Sequence, residues 1–406
     1  MDLRRSSKIE IKRRIRFGLC GLLGAIIIST SCAPATDIVS EFEPVDPMPN
    51  KQRLLNYLAD NYGECIISGQ MDTYWHSSGN RGMDMIARVY EDTGKFPAIK
   101  GFDLQMLRND YAPYYGGMQQ IEEAIEWWEG KNSMNGAPSA PVLPGKNGVH
   151  GIVTFCWHWE KAKPGTGRNH FYTENTEFRI PWKNGGLDTE SQEFEMIVSD
   201  LDEVAALFMI LKEKEIPVLW RPLHEAAGNW RKYGNTGNDG AWFWWGASGP
   251  EPYKALWEFM YSYFTYEKGL NNLIWVWNAQ NGAWFPHPDT VELVGCDSYA
   301  KAGDITSMQG DFSAVKNMIP VKHREKYIIA LSENGVLPDP DKCRMERAMW
   351  SYFMTWNDAA RVGETSNSNF WSGEYHNSDE QKRNVYNHQL VITLDELPDL
   401  TTYRLY

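Results

Sequence analysis

The chain has 406 residues, 42% of them hydrophobic, and its 53 Asp and Glu outnumber its 40 Lys and Arg to give a formal net charge of −13. An acidic chain is poorly suited to nucleic acid or to an anionic membrane surface as a partner, whereas the charge says nothing about a neutral substrate. The length suffices for one large α/β barrel or for two smaller domains, and no long low-complexity linker after about residue 50 forces a division.

The first 31 residues have the composition of an export signal. Seven Lys and Arg precede an apolar stretch at 17–28 that is too short to span a bilayer stably. Small residues then run directly into Cys32, which resembles the lipobox of bacterial lipoproteins. We therefore predict a lipoprotein signal peptide at 1–31, lipid attachment at Cys32, a tether at 32–50 and a folded domain at 51–406. The predicted location is the cell envelope, at the outer membrane surface or in the periplasm, and a soluble secreted protein is the alternative.

Short apolar runs alternate with longer amphipathic stretches through the rest of the chain. The predicted strands are 65–68, 98–102, 151–157, 217–223, 273–277, 295–299, 327–332 and 350–355, and the clearest helical stretches are 121–129, 195–214, 253–266 and 344–349. Strands that alternate with helices indicate a parallel sheet, and eight such units predict a (β/α)₈ TIM barrel with long loops. An open doubly wound sheet is the runner-up, but no glycine-rich phosphate loop follows the first strand.

Six cysteines are present, of which Cys20 would leave with the signal and Cys32 would carry the lipid. The remaining four have neither a C-x-x-C spacing nor a Cys/His spacing typical of zinc; they are Cys65, Cys156, Cys296 and Cys343. We predict that these four are core thiols rather than disulfides.

Polar and aromatic residues follow nearly every predicted strand, at the end of a barrel where active sites are built. Two glutamates stand out among them, Glu225 after the fourth strand and Glu333 after the seventh. Glycoside hydrolysis needs two carboxyl groups, and a retaining mechanism places them about 5–5.5 Å apart. Strands four and seven lie on opposed parts of the ring, so the two side chains can converge. Glu333 would then be the nucleophile and Glu225 the acid and later the base.

Four short motifs carry a family resemblance. In chain order they are Trp157-His158; Arg221-Pro222-Leu223-His224-Glu225 with Gly228, Trp230 and Trp242-Phe243-Trp244-Trp245-Gly246; Gly295-Cys296-Asp297-Ser298-Tyr299; and Ala330-Leu331-Ser332-Glu333-Asn334-Gly335. Together they resemble glycoside hydrolase family 26, whose best-known members are β-mannanases, over about residues 50–395. The resemblance implies a retaining (β/α)₈ enzyme that needs neither a metal nor an organic cofactor.

The resemblance also implies roles for five further residues. Tyr299 would donate a hydrogen bond to Glu333, and His224 would face the sugar at the cleavage site. His158 and Trp356 would contact the sugar just before the scissile bond, and Trp230 would stack on the leaving-group side. Two departures from the family pattern, at Ala226-Ala227 and in a longer insertion at 231–240, place the fine specificity in question.

The 18 tryptophans fit a sugar-binding protein because pyranose rings stack on aromatic planes, although a core rich in aromatic residues gives the same composition. We predict that one of Trp157 or Trp159 contacts sugar, and that Trp127, Trp128 and Trp257 are packing residues. The predicted protein is a monomer that hydrolyses β-1,4-mannosidic bonds in mannan, galactomannan or glucomannan. The alternatives are a relative that acts on β-1,3-xylan or mixed-linkage β-glucan, and a non-catalytic surface lipoprotein that binds glycan.

Overall fold

Eight parallel strands close into a barrel, and their order around the ring is their order along the chain. The computed structural model describes residues 45–72, 84–107, 116–132, 150–161, 169–228, 240–358 and 369–406. The barrel strands are β1 (Gly69–Met71), β2 (Ile99–Asp103), β3 (Ile152–Cys156), β4 (Val218–Arg221), β5 (Leu273–Trp277), β6 (Leu293–Ser298), β7 (Ile328–Asn334) and β8 (Phe353–Thr355). Thr355 pairs with Gln70 and so closes the ring. The predicted (β/α)₈ barrel is confirmed.

Helices lie between and beside these strands. Within the described residues they are α1 (Pro49–Asn61), α2 (Met85–Thr93), α3 (Gly117–Trp128), α4 (Gln192–Glu213), α5 (Pro250–Ser262), α6 (Gln309–Met318), α7 (Pro340–Met345) and α8 (Asp379–Tyr386). Single helical turns occur at Leu104–Met106, Thr173–Asn175, Tyr263–Glu267, Gly282–Trp284, Pro288–Thr290, Val321–His323 and Leu394–Glu396. Polar side chains cap the N-termini of several helices. At the start of α4, for example, the side chain of Ser191 accepts a hydrogen bond from the N–H of Phe194.

The first strand lies further along the chain than the apolar pattern predicts. The predicted run at 65–68 contains instead a short strand, Ile66–Ile67, that pairs in parallel with Val391–Ile392 outside the barrel. The barrel strand is Gly69–Met71, whose sequence has no apolar run. The prediction is wrong here because two adjacent isoleucines favour a strand without specifying which partner they pair with.

Other boundaries differ by less. β5 matches its prediction, whereas β7 continues to Asn334 and therefore includes Glu333. The helix predicted at 344–349 lies at Pro340–Met345, because Asp339 caps it by accepting from the N–H of Lys342 and Pro340 suits a first helical turn. A second pair of short strands, Trp182–Lys183 and Gly186–Leu187, is antiparallel and lies between β3 and α4 in sequence.

Close packing inside the barrel requires a glycine in β2. A Cβ at Gly101 would lie 2.2 Å from the sulfur of Met71, so a side chain there would have to displace the methionine from the barrel interior. The predicted packing tryptophans Trp127, Trp128 and Trp257 are all buried on helices α3 and α5. Cys65, Cys156, Cys296 and Cys343 are free thiols, as predicted, and Cys65 is only half-buried. Among the described residues, no helix is both long and apolar enough to span a membrane.

Candidate active site

The turn that follows β4 places Glu225. Both Leu223 and Glu225 adopt left-handed backbone conformations, with φ of 51° and 49°. The N–H of Glu225 donates to the carbonyl of Asn278 just after β5, at 2.7 Å, so the neighbouring strand end fixes the turn. Residues other than glycine rarely adopt such φ values, and they concentrate at functional sites. The carboxyl group of Glu225 is consequently directed by the backbone as well as by its side-chain contacts.

A second segment packs directly on this turn. A Cβ at Gly246 would lie 1.8 Å from the carbonyl oxygen of Ala226, so only glycine allows the two backbones to approach this closely. The segment brings Trp242 to Glu225, to which it hydrogen-bonds. Gln280 also donates to Glu225, with its Nε2 3.3 Å from Oε1.

An irregularity in β7 places Glu333. The pairing register with β6 shifts between Leu331 and Glu333, which leaves Ser332 as an extra residue. The side chains of two consecutive residues therefore reach the same buried cluster. Ser332 Oγ donates to Asp297 at 2.9 Å, and Glu333 pairs with Arg221, which also pairs with Asp297. A regular strand would direct these two side chains to opposite faces.

The Glu333 carboxylate is held at both oxygens. Nη2 of Arg221 lies 2.5 Å from Oε1, and the hydroxyl of Tyr299 donates to Oε2 at 2.7 Å. The hydrogen bond predicted between Tyr299 and Glu333 is therefore present. Nη1 of Arg221 donates to Asp297 at 3.1 Å, so one buried guanidinium joins two carboxylates.

Three carboxyl groups converge at the centre of the barrel mouth. One oxygen from each of Glu225, Asp297 and Glu333 lies within 4.8 Å of the other two. Such a group is close enough to share a cation, and Arg221 already provides a positive charge bonded to two of its members. A second group of the same spacing in the described part of the chain is Asp103, Cys156 and His158.

The two glutamates hold their protons with different strengths. Burial, together with the nearby Asp297 and Glu333, raises the pKa of Glu225 well above its usual range. Burial and Asp297 also raise the pKa of Glu333, but Arg221 and Tyr299 oppose the rise and the value is about 7. Glu225 therefore remains protonated at a pH where Glu333 is ionised, which is the division of charge that an acid and a nucleophile need.

Two histidines lie side by side next to the carboxylates. Nδ1 of His158 donates to Asp103 at 2.5 Å, and the two Nε2 atoms of His158 and His224 are 3.4 Å apart. Burial lowers the pKa of His158, but the Asp103 carboxylate outweighs it and the net shift is upward. Burial, Arg221 and His158 lower the pKa of His224 well below its ordinary value. The pair therefore combines a histidine that gains a proton readily with one that stays neutral.

Aromatic rings form the walls beside this pair. The ring of Trp356, which follows β8, lies edge-on to His158 with 6.0 Å between centroids. Phe243 contacts both histidines and stacks on Tyr172, whose backbone forms a bridge with that of Phe243. Burial raises the pKa of Tyr172, and the charges of Glu225, Glu174 and Glu333 raise it further.

The prediction that Trp157 or Trp159 contacts sugar is wrong. Both are buried, 2% and 1% exposed, and they stack on each other with centroids 4.1 Å apart. The indole N–H of Trp159 donates to Asp200 at 2.7 Å, which directs that ring towards α4. These tryptophans therefore support the site from behind.

The structure brings together six of the seven predicted catalytic and substrate-binding residues: Glu225, Glu333, His158, His224, Tyr299 and Trp356. Trp230 lies outside the described residues, as do Cys32 and the predicted signal peptide. Sequence reasoning did not assign roles to Arg221, Asp103, Asn278, Gln280 or Tyr172. The first three end or follow barrel strands, which is the signal that could have identified them, whereas Tyr172 reaches the site from a distant loop and has no local signature.

Comparison with known proteins identifies one family over most of the chain. The family model of glycosyl hydrolase family 26 matches residues 45–239 and 237–396. Mannan endo-1,4-beta-mannosidase B of Piromyces sp is 32% identical over 92% of this chain and 57% of that protein. The mannan endo-1,4-beta-mannosidase of Thermothelomyces thermophilus is 30% identical over 85% of this chain and 60% of that protein. The chain thus spans somewhat more than half the length of these two curated relatives.

Solved structures agree with this similarity. A beta-mannanase from a symbiotic protist of the termite Reticulitermes speratus, complexed with gluco-manno-oligosaccharide, superposes with a TM-score of 0.67. It is 29% identical, and the match covers 87% of this chain and 96% of that one.

Proposed function

The chain belongs to glycosyl hydrolase family 26, and on that premise we propose that it is a retaining β-mannanase that cleaves β-1,4-mannosidic bonds. The observation that carries the proposal is the approach of Glu225 and Glu333, which have carboxyl oxygens within 4.8 Å of each other. Retaining enzymes place their two carboxyl groups about 5–5.5 Å apart, whereas inverting enzymes leave about 6.5–9.5 Å for a water molecule. The spacing supports a covalent mechanism.

In the first step, a carboxylate oxygen of Glu333 attacks the anomeric carbon. The bond from that carbon to the leaving oxygen breaks, and the proton of Glu225 transfers to this oxygen. The product is a glycosyl ester on Glu333, with Glu225 left as a carboxylate. Arg221 and Tyr299 support this step because they hold Glu333 ionised and fixed in direction before it attacks.

In the second step, the Glu225 carboxylate takes a proton from water. The resulting hydroxide oxygen bonds to the anomeric carbon on the face that the leaving group vacated, and the ester bond to Glu333 breaks. Glu225 is protonated again and Glu333 is ionised, so the enzyme returns to its starting state. Two inversions give net retention of configuration.

The histidines and tryptophans are proposed to bind the sugar. Trp356 would support the pyranose before the scissile bond, with His158 beside it, because the two rings lie edge to face with 6.0 Å between centroids. His224 would contact the same sugar, and its low pKa keeps it neutral next to Arg221. Trp230 would stack on the sugar on the leaving-group side.

The substrate is inferred from relatives. The curated relatives are named for mannan endo-1,4-beta-mannosidase activity, and the termite protist enzyme was solved with a gluco-manno-oligosaccharide. We infer linear mannan, glucomannan and galactomannan as candidate substrates, with internal rather than terminal attack.

The test uses a soluble form that lacks residues 1–32, incubated with linear β-1,4-mannan, with products resolved over time. Glu225→Gln and Glu333→Gln are each expected to lose ~10²–10⁴-fold or more of the wild-type rate, as for loss of a general acid or a nucleophile. Glu190→Gln, at an exposed position, is the matched control. NMR of the first product distinguishes retention from inversion at the anomeric carbon.

Three outcomes would contradict the proposal. Inverted product would exclude double displacement. Activity on mixed-linkage β-glucan or β-1,3-xylan with none on mannan would show that the substrate is not mannan. Binding of mannan without release of sugar by wild type would favour the glycan-binding lipoprotein.

We also propose that Cys32 carries a lipid that holds the protein in the cell envelope as a monomer. The support is the sequence alone: a basic region, a short apolar run and small residues that lead into Cys32. Cys32→Ser should move the full-length protein from the membrane fraction to the soluble fraction and remove labelling by fatty acid. Unchanged fractionation and labelling would contradict the anchor, and sedimentation of the soluble form tests the monomer.

A further inference from the structure

A polar cleft opens beside the catalytic carboxylates, at the end of β6. It has a volume of about 560 Å³ and lies between the loop after β6 and the start of α6. Its lining includes Ser298, Tyr299, Lys301, Asp304, Gln309 and Gly310. The volume is in the range of sites that bind small molecules. Neither Glu225 nor Glu333 lines it, so it is separate from the groups that carry out the reaction.

Tyr299 connects the cleft to the reacting centre. Its hydroxyl donates to Glu333 at 2.7 Å, while 45% of the side chain is exposed and the residue lines the cleft. One end of a single side chain therefore contacts the nucleophile and its flank faces the cleft. A sugar bound over Glu333 would therefore have the cleft beside it, across Tyr299.

The lining has the chemistry of a site for a neutral polyol. Lys301 donates hydrogen bonds, Asp304 accepts them and Gln309 does both. The ring of Tyr299 adds apolar surface on which the hydrophobic face of a pyranose can pack. An anionic ligand would meet the carboxylates of Asp304, Asp311 and Glu346, which line the same cleft. Sugar hydroxyl groups both donate and accept hydrogen bonds, so they can bind the ammonium of Lys301 as well as the carboxylates.

We propose that this cleft binds an additional pyranosyl unit of the glycan that is cleaved. The inference rests on the proposed function, because the unit must belong to a chain already bound over Glu333. The unit is either the next sugar of the backbone or a branch on it, and both sources share the same ring and hydroxyl chemistry. The cleft would then set which lengths or decorations of the substrate are preferred.

Gly310 offers a way to fill the cleft without touching the catalytic groups. A Cβ at Gly310 has no atom within 4 Å, its backbone has no positive φ, and it lies in the first turn of α6. Gly310→Tyr therefore adds a large side chain to the cleft lining at a position where the new Cβ meets no other atom. Gly186 is the matched control, since its Cβ also points into open space and its φ is ordinary, but it lies in the strand Gly186–Leu187 away from the cleft.

The experiment measures kcat/KM for wild type, Gly310→Tyr, Asp304→Ala and Gly186→Tyr on linear manno-oligosaccharides of increasing length and on their galactosylated forms. Gly310→Tyr should lose about tenfold or more on substrates that reach the cleft, as for pocket contacts generally, and nothing on the shortest substrate that is cleaved. Asp304→Ala should show the same pattern with a smaller loss. Gly186→Tyr should match wild type throughout.

Comparison of linear with galactosylated substrates distinguishes a backbone sugar from a branch sugar. A loss that grows with the length of linear substrates identifies a backbone unit, and a loss confined to galactosylated substrates identifies a branch. Equal activity of Gly310→Tyr and wild type on every substrate overturns the inference, as does an equal loss on all substrates including the shortest, which would indicate disturbance of Tyr299. Absence of hydrolysis by wild type overturns the proposed function and this inference with it.

Discussion

Asp103 accepts two hydrogen bonds from His158, one from the ring nitrogen Nδ1 at 2.5 Å and one from the backbone N–H at 2.9 Å. An ionised carboxylate only accepts, so the proton of the ring must be on Nδ1. The second bond fixes the backbone of the same residue. Asp103 thus sets the tautomer and direction of His158, while Nε2 faces His224.

Asp103→Asn tests this positioning role. An amide can accept from one of the two donors, but its N–H₂ opposes the other, so His158 loses a charge-assisted hydrogen bond worth ~1.5–3 kcal/mol and kcat/KM should fall roughly 10- to 100-fold. The pKa of His158 should also fall, because the carboxylate that raises it is gone. Steady-state kinetics and NMR titration of the histidines measure the two effects. Asp395→Asn, which breaks a surface pair with Lys95, is the control, and unchanged kinetics for Asp103→Asn would contradict the role.

Tyr299→Phe should slow hydrolysis and shift its pH dependence. The hydroxyl of Tyr299 lowers the pKa of Glu333, so its removal should raise that pKa and move the acid limb of kcat/KM to higher pH, with a loss of about tenfold near neutral pH. Tyr406→Phe removes a comparable hydrogen bond, to Asp60 at the surface, and serves as the control. A purely structural role of Tyr299 would lower activity equally at every pH.

The wild-type pH profile of kcat/KM should be bell-shaped. Activity needs Glu333 ionised, so it should rise as pH increases through about 7. It also needs Glu225 protonated, and because the pKa of Glu225 is raised well above its usual range, the alkaline limb should lie above the acid limb. The limbs belong to the interacting pair rather than to single residues. A profile already at its maximum near pH 5 would contradict the raised pKa of Glu333.

Glu333→Gln should stabilise the fold at alkaline pH. The pKa of Glu333 is about 7 in the folded state, above its usual 4.5, so the folded protein binds this proton more tightly than the unfolded chain. The associated stability is fully present below about pH 4.5 and is lost as pH rises through 7. The neutral amide avoids that loss, so the variant should gain ~1–3 kcal/mol over wild type at about pH 8 and little near pH 4.

Urea unfolding at both pH values measures the difference, with Glu190→Gln as the control. A gain of equal size at both pH values would point to better packing rather than to ionisation. A loss at alkaline pH would mean that the Arg221 pair outweighs the burial of the charge.

The barrel and its central pair were predictable because they rest on local patterns. Apolar runs of four or five residues, such as 273–277, mark strands that are buried on both faces, and the polar residue that ends each run marks the catalytic end. Glu225 and Glu333 were identifiable because strand number alone places them on opposed parts of the ring. The same reasoning applies to Asp103, the last residue of β2, and to Asp297, the next-to-last residue of β6.

The remaining features depend on contacts between distant parts of the chain. The isoleucines Ile66 and Ile67 form a strand with a partner more than three hundred residues away, which no local pattern specifies. Tyr172 pairs with Phe243 from a loop, and no periodic pattern in the sequence predicts the path of that loop. Burial of Trp159 depends on helix α4, since Asp200 on that helix binds its indole, and Trp157 in turn stacks on Trp159. The extra residue Ser332 likewise depends on how β7 pairs on both sides.

Glycine at position 225 would make the fold more stable than Glu225 does. A left-handed backbone costs a residue with a side chain roughly 1–2 kcal/mol, and burying a carboxyl group adds to that cost. A library of variants screened only for survival at high temperature would therefore tend to discard the acid. Under the proposed function, a library screened for growth on mannan would keep it. Laboratory evolution of a more stable variant of this chain consequently needs a selection on substrate in every round. Without it, the variants that gain stability first will be those that have lost Glu225 and with it the activity.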